Sequence, residues 1–183
     1  LLHTGLRRGE LCGLEWDDIN FELSLLDVQR TSLYLPEKGV FVDETKNSTS
    51  RRVLKLTPDA VQLLKRYRMW QNSERLRIGD QWAEEWEQHP RLFTTWDGKP
   101  LHPSTVTGWF HTFIERSDLP PISIHSLRHT NATLLIAAGT SLTTVAARLG
   151  HANSTTTSKI YAHVIQSADA AASAAIGSIV HQK

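Results

Sequence analysis

One cysteine and one methionine occur among the 183 residues, and the chain has no overall excess of either charge, with a formal net charge of +1. A lone Cys12 excludes an internal disulfide, and a reducing, cytoplasmic setting is expected. Between Leu11 and Gly13 on an apolar helical face, Cys12 reads as a small core residue. No run of about 18 apolar residues is present, which excludes a membrane-spanning helix of the usual kind. A basic start followed by a long apolar core is also lacking, so no signal peptide is expected among the first residues. The chain opens on Leu1-Leu2-His3-Thr4-Gly5 without methionine, which reads as the end of a helix and leads us to expect a piece of a longer protein. What is there is ordinary for a globular domain: 40% hydrophobic and 21% charged residues, in a chain long enough for one sizeable core.

Charge is unevenly placed. Residues 1–44 carry 4 basic and 9 acidic side chains, residues 45–78 carry 9 and 2, and residues 79–183 carry 7 and 8. A basic block in an otherwise neutral chain fits either a polyanion-facing surface or a solvated helix face. The residue patterns predict an α+β fold, mainly helical, with a small three-stranded antiparallel sheet early in the chain. Helices are expected over 8–16, from Thr57-Pro58 onward with Val61, Leu64 and Tyr67 inward, and over 103–116, 126–138 and 141–149. Strands are expected over 24–35, 40–44 and 52–56 as one meander, with a polar turn at 47–50. Residues 79–90 fit a short helix or a loop. The Ser/Thr-rich 152–158 has no apolar pattern and is expected to be a mobile connection before a short helix carrying Tyr161.

The residues that carry chemistry are spread along the chain. His125 and Arg128, three apart on a helix, share a face in what is expected to be its first turn, where free N–H groups favour an anion. Leu127, Thr130, Leu134 and Ala138 are expected to form the buried side. His151 follows the helix-ending Gly150, and Tyr161 comes ten residues later. A phenol with a pKa of about 10 is a poor nucleophile unless its charge is stabilised, which nearby arginines would do. Singly, each of these residues is ordinary; the informative feature is the whole order, Arg7, Lys46, His125-x-x-Arg128, His151, Tyr161.

That order resembles the catalytic domain of the tyrosine recombinases, the phage-integrase family. The resemblance is carried by four blocks: Thr4-Gly5-Leu6-Arg7-Arg8-Gly9-Glu10-Leu11; Thr45-Lys46; His125-Ser126-Leu127-Arg128-His129-Thr130; and Leu149-Gly150-His151 through Tyr161-Ala162-His163-Val164. It implies that Tyr161 attacks a phosphate of double-stranded DNA, leaving a 3′-phosphotyrosyl link and a free 5′-hydroxyl. Arg7 and Arg128 would clamp the non-bridging oxygens, Lys46 would act as general acid, His125 as base or hydrogen-bond partner, and His151 would hold the phosphoryl group. It implies no metal and no cofactor, action as a homo-tetramer on DNA, and no membrane. Residues 1–183 would form one catalytic domain lacking the DNA-gripping helical domain that usually precedes it. The alanine-rich 167–179 would dock on a neighbouring protomer or fray.

Three other readings use the same residues. His125 and His129 have the i, i+4 spacing of a zinc helix, with His151 or His163 as third ligand, although the intervening Glu is missing. A type IB topoisomerase would relax DNA with similar chemistry. A non-catalytic DNA-binding module would keep the fold alone.

Overall fold

In the computed structural model, residues 1–44, 51–151 and 154–162 are described; Lys46, the turn at 47–50, His163 and the tail at 167–179 lie outside them. The fold is α+β and mainly helical, as the sequence predicts. Its elements are α1 (Arg8–Cys12), β1 (Ile19–Asn20), β2 (Leu25–Val28), β3 (Arg30–Leu35), β4 (Gly39–Glu44), β5 (Arg52–Lys55), α2 (Pro58–Ile78), α3 (Pro103–Glu115), α4 (Ile124–Ala137), α5 (Leu142–Leu149) and α6 (Ser154–Ile160).

Local chemistry sets the helix starts. Thr57 Oγ1 accepts the Ala60 N–H and Pro58 follows it, where its missing N–H costs nothing. Ser123 and Ser126 cap α4 reciprocally, each hydroxyl accepting the other's N–H at 3.2 Å. Ser141 Oγ caps α5 by accepting the Thr144 N–H. Gly13 stops α1 at Cys12, so the expected helix over 8–16 is shorter and gives way to a 3-10 turn at Trp16–Asp18. Cys12 is buried, as expected, and burial pushes its thiol up to about 11.

The sheets differ from the expected meander. Residues 24–35 do not form one strand: the run breaks at Gln29. β2 pairs with β1 and β5, Leu26 lying opposite Ile19 and Leu54, while β3 and β4 form a separate antiparallel ribbon. Just after the break, the Arg30 guanidinium is held 2.9 Å from both Glu15 and Asp18. α1 lies against β3, and Gly9 and Gly13 make the approach possible: a Cβ on Gly9 would stand 2.5 Å from Thr31 Oγ1 and one on Gly13 would stand 3.1 Å from Ser32 N.

Two apolar clusters result. The larger joins Leu6, Leu14, Trp16, Leu26, Val28, Leu54, Leu56 and Leu92 beneath α2, whose Val61, Leu64 and Tyr67 face it as predicted. Each fully buried leucine contributes on the order of 1.5–3 kcal/mol. Residues 79–90 form two 3-10 turns pinned by the buried Trp82 and Trp86. The smaller cluster joins Ala132 and Ile136 of α4, Val145 and Leu149 of α5, and Tyr161.

Two expectations about this second cluster are corrected. α4 does not bury a leucine side: Leu134 is 58% exposed, and Arg128, Asn131, Ala132 and Ile136 point inward. α5 and Tyr161 pack on that face, and Arg128 is tolerated there because backbone carbonyls receive it. The Ser/Thr-rich run is no mobile connection over 154–158, where it forms α6. Thr157 is wholly buried: its hydroxyl pairs with His151 Nδ1 at 2.8 Å and its carbonyl accepts the Tyr161 N–H. Buried polar atoms with partners replace the apolar stripe that would have marked the helix in the sequence.

Candidate functional site

The site forms around the C-terminal end of α5. A helix leaves its last carbonyls without intrahelical donors, and they carry its negative end. Here three arginines from three elements take three successive ones. Arg52 Nε donates to Arg148 O at 2.7 Å, Arg128 Nη2 to Leu149 O at 2.6 Å, and Arg7 Nη2 to Gly150 O at 2.8 Å. Arg128 Nη1 also donates to Gly5 O. Gly150 is left-handed (φ 66°), and a Cβ there would meet Arg52 Nη1 at 2.7 Å and Arg7 Nη1 at 3.3 Å, so this position needs glycine for both its backbone and its space.

Glu10 ties the arginines together. Its carboxylate accepts the Arg7 N–H and Arg7 Nη1, both at 2.8 Å, and Arg52 Nη1 and Nη2 at 3.1 and 2.8 Å. Burial pushes this carboxyl up, but hydrogen bonds and charge from Arg52, then Arg7, outweigh it and hold Glu10 below the usual carboxylate range. A depressed folded-state pKa stabilises the fold above the unfolded value of about 4.3 and is lost as pH falls through the folded value. Glu10→Gln should therefore flatten the acid limb of stability against pH. Glu10→Ala should cost about 3–5 kcal/mol, because it leaves two guanidiniums facing each other without a counter-charge. Urea denaturation at pH 3 to 7 measures both, and an unchanged acid limb in Glu10→Gln would refute the assignment.

Arg128 is 4% exposed; burial first, then the charge of Arg7, brings its pKa down to about 10, which leaves it charged at neutral pH. His151 is pushed down to about 4 by burial and by Arg128, Arg7 and Arg52, so it is neutral. His125 is lowered by burial, then by His129, Arg128 and Arg7. Tyr161, at the end of α6, is 3% exposed; burial raises its pKa and the charge of Arg128 opposes the rise. Its hydroxyl shares a 2.9 Å hydrogen bond with His129 Nδ1, and the His125 ring stands edge-on to His129 with centroids 4.6 Å apart. Arg7 and His125 also line the wall of an open pocket of about 330 Å³, with Leu6, Arg8, Gly9 and Ile124.

Five of the six residues singled out in the sequence, Arg7, His125, Arg128, His151 and Tyr161, thus converge; the sixth, Lys46, lies outside the described residues. α4 begins at Ile124, so Arg128 sits in its second turn, not its first as expected. Sequence reading missed Arg52 and the hydrogen bond of His129 to the phenol. Arg52 had a signal: with period-2 alternation it shares a face with the buried Leu54 and Leu56. Among the described residues no three His, Cys, Asp or Glu side chains gather as a metal ion would require, and His163 lies outside them.

Comparison with known proteins gives the same picture. A tyrosine recombinase XerC-like protein of Caldanaerobacter subterraneus subsp. tengcongensis is 36% identical over 172 residues, covering 88% of this chain and 43% of the relative. The ICEBs1 integrase of Bacillus subtilis is 31% identical over 162 residues, covering 88% and 42%. The chain therefore spans less than half the length of these curated relatives. Among solved structures, the Tn1549 transposon integrase in complex with transposon right end DNA superposes with a TM-score of 0.74 at 26% identity, covering 88% of this chain and 51% of that one. XerA recombinase, at a TM-score of 0.64 and 23% identity, shares the fold. The profile of the phage integrase family matches residues 1–167, and with the arginines, histidines and tyrosine gathered at one helix end, the chain belongs to that family.

Proposed function

We propose that this chain is the catalytic part of a site-specific recombinase that integrates or excises a mobile element, cutting double-stranded DNA through a 3′-phosphotyrosyl link to Tyr161. The observation that carries the reading is the convergence of Arg7, Arg128, His151 and Tyr161 on the end of α5. A guanidinium carries five N–H donors, so Arg7 and Arg128 can hold backbone carbonyls and still offer N–H groups to the fully charged oxygens of an entering phosphate. His151 holds the phosphoryl group as a neutral imidazole. Lys46 protonates the departing 5′-oxygen. The two guanidiniums and their neighbours supply the charge a metal ion would, so cleavage proceeds without one, and the covalent link retains the ester's energy for rejoining without a nucleotide cofactor.

Lys65, Arg66 and Arg68, exposed on α2, track the DNA backbone with salt-sensitive and largely sequence-blind affinity. Residues 1–183 act as one catalytic domain, and the full-length protein works as a tetramer on DNA. The relatives are a recombinase, integrases and a transposase, which gives no support to a relaxing enzyme. The test is a nicked suicide substrate that traps the covalent complex in EDTA, followed by peptide mapping. DNA attached to Tyr161 is the expected result; attachment elsewhere, or no trapping until a divalent metal is supplied, would refute the reading.

A further inference from the structure

The chain holds a group that the proposed roles leave unused. Tyr161 is 3% exposed, so little water reaches its hydroxyl, and burial makes the phenol harder to ionise than in solution. Attack on phosphorus nevertheless requires the phenolic proton to leave. Among the described residues the hydroxyl has one hydrogen-bond partner, His129 Nδ1 at 2.9 Å. His125, which the resemblance casts as base or hydrogen-bond partner, stands beyond that ring, edge-on at 4.6 Å between centroids.

We infer that His129 is the proton acceptor for Tyr161. The inference rests on the cleavage chemistry proposed above. The direction of the hydrogen bond follows from satisfaction of buried groups. If Nδ1 carried the ring proton and donated it, the phenolic O–H would be buried without an acceptor, which folded proteins avoid. With the proton on Nε2, Nδ1 presents its lone pair to the phenol and both buried atoms are paired. In the forward step Tyr161 Oη bonds to phosphorus, the P–O5′ bond breaks, the phenolic proton passes to Nδ1, and the departing 5′-oxygen takes its proton from the general acid. Rejoining reverses each transfer, and His129 returns the proton to the phenolate. His125 then serves to brace the His129 ring and face the pocket it shares with Arg7.

The groups facing this pair are His125 and Arg128 on α4, His151 after α5, and Arg7 before α1. All four are retained in a His129→Asn variant; losing His129 lets His125 and His151 move back towards the ordinary imidazole value of about 6.5, so the ratio of variant to wild-type rates is read from pH 7 upward, beyond those titrations. Asparagine keeps a hydrogen-bonding atom near the Nδ1 position and cannot take a proton. Single-turnover cleavage of the suicide substrate by His129→Asn is expected to be about 10²–10⁴-fold slower at pH 7. The deficit should shrink about tenfold per pH unit up to pH 9, as hydroxide replaces the missing base. Cleavage within about threefold of wild type, or a slow rate whose ratio to wild type is flat across pH, would overturn the inference, the latter marking a purely structural role. A second measurement needs no activity: nitrogen-15 NMR of the chain's histidines should give His129 as the Nε2–H tautomer, with its Nδ1 resonance moving in Tyr161→Phe. An Nδ1–H tautomer would overturn it. If peptide mapping places the DNA on a residue other than Tyr161, the recombinase reading and this inference fall together; if the DNA is on Tyr161 and the asparagine variant cleaves normally, the inference alone falls.

Discussion

Tyr161→Phe is expected to lose covalent capture of a suicide substrate completely while binding the same DNA within about twofold of wild type. The two effects separate because the hydroxyl and the ring do different work. The ring packs against Ala132, Ile136, Val145 and Leu149, and phenylalanine keeps those contacts. The hydroxyl makes a hydrogen bond to His129 at 2.9 Å. Removing one partner of such a bond costs about 0.5–1.5 kcal/mol, and deleting a buried polar group offsets part of that loss. Unfolding stability should therefore fall by no more than about 1.5 kcal/mol, a change urea denaturation resolves. Affinity is unaffected because long-range attraction comes from exposed basic residues such as Lys65, Arg66 and Arg68, none of which touches the ring. Denaturing gels that still retain DNA on the phenylalanine variant would place the nucleophile elsewhere.

The parts of this arrangement that could be read from the sequence are those whose signal is local. Gly139 and Gly150 stop α4 and α5 where expected, although the Ser123 cap starts α4 two residues before the expected 126, and the order of Arg7, His125, Arg128, His151 and Tyr161 names a set of groups suited to a phosphate. What could not be read depends on distant partners. β2 pairs with β5 across 30 positions at Leu25 and Lys55, and the hairpin of β3 and β4 fills the interval; no local pattern distinguishes that pairing from a simple meander. The helical pattern puts Arg128 on the face opposite Leu127 and Leu134, yet it points inward because the carbonyls of Gly5 and Leu149 accept its N–H groups. Thr157 looked like part of a polar linker until His151 supplied its partner. In each case a polar side chain is buried by a bond to a residue far along the chain, and composition within a window carries no trace of that bond.

Arg128→Ala and Arg128→Lys should separate the two duties that this burial places on one guanidinium. It bridges the carbonyls of Gly5 and Leu149, so it fastens the start of the chain to the end of α5. Gly5 is held left-handed (φ 66°), and its Cα faces Asn131 and Leu149 so closely that a Cβ would stand 2.8 Å from each; the Gly5 carbonyl therefore has no slack with which to find another donor. Alanine at 128 leaves both carbonyls buried and unpaired, at about 1–3 kcal/mol each, and opens a cavity, so a loss of roughly 2–5 kcal/mol in stability is expected. Lysine restores a charge but offers a compact ammonium in place of a planar fork, and burial that already lowers the guanidinium to about 10 acts still more strongly on an amine. Under conditions where denaturation curves show the lysine variant folded, single-turnover cleavage should still be about 10²–10³-fold slower, the usual cost of removing a fixed donor from an oxyanion. Arg66→Ala, on the exposed face of α2, is the matched control and should change the salt dependence of binding without changing the cleavage rate of bound substrate. A lysine variant that is folded and cleaves within about threefold of wild type would leave Arg128 as a structural clasp alone and would remove the phosphate clamp from the mechanism.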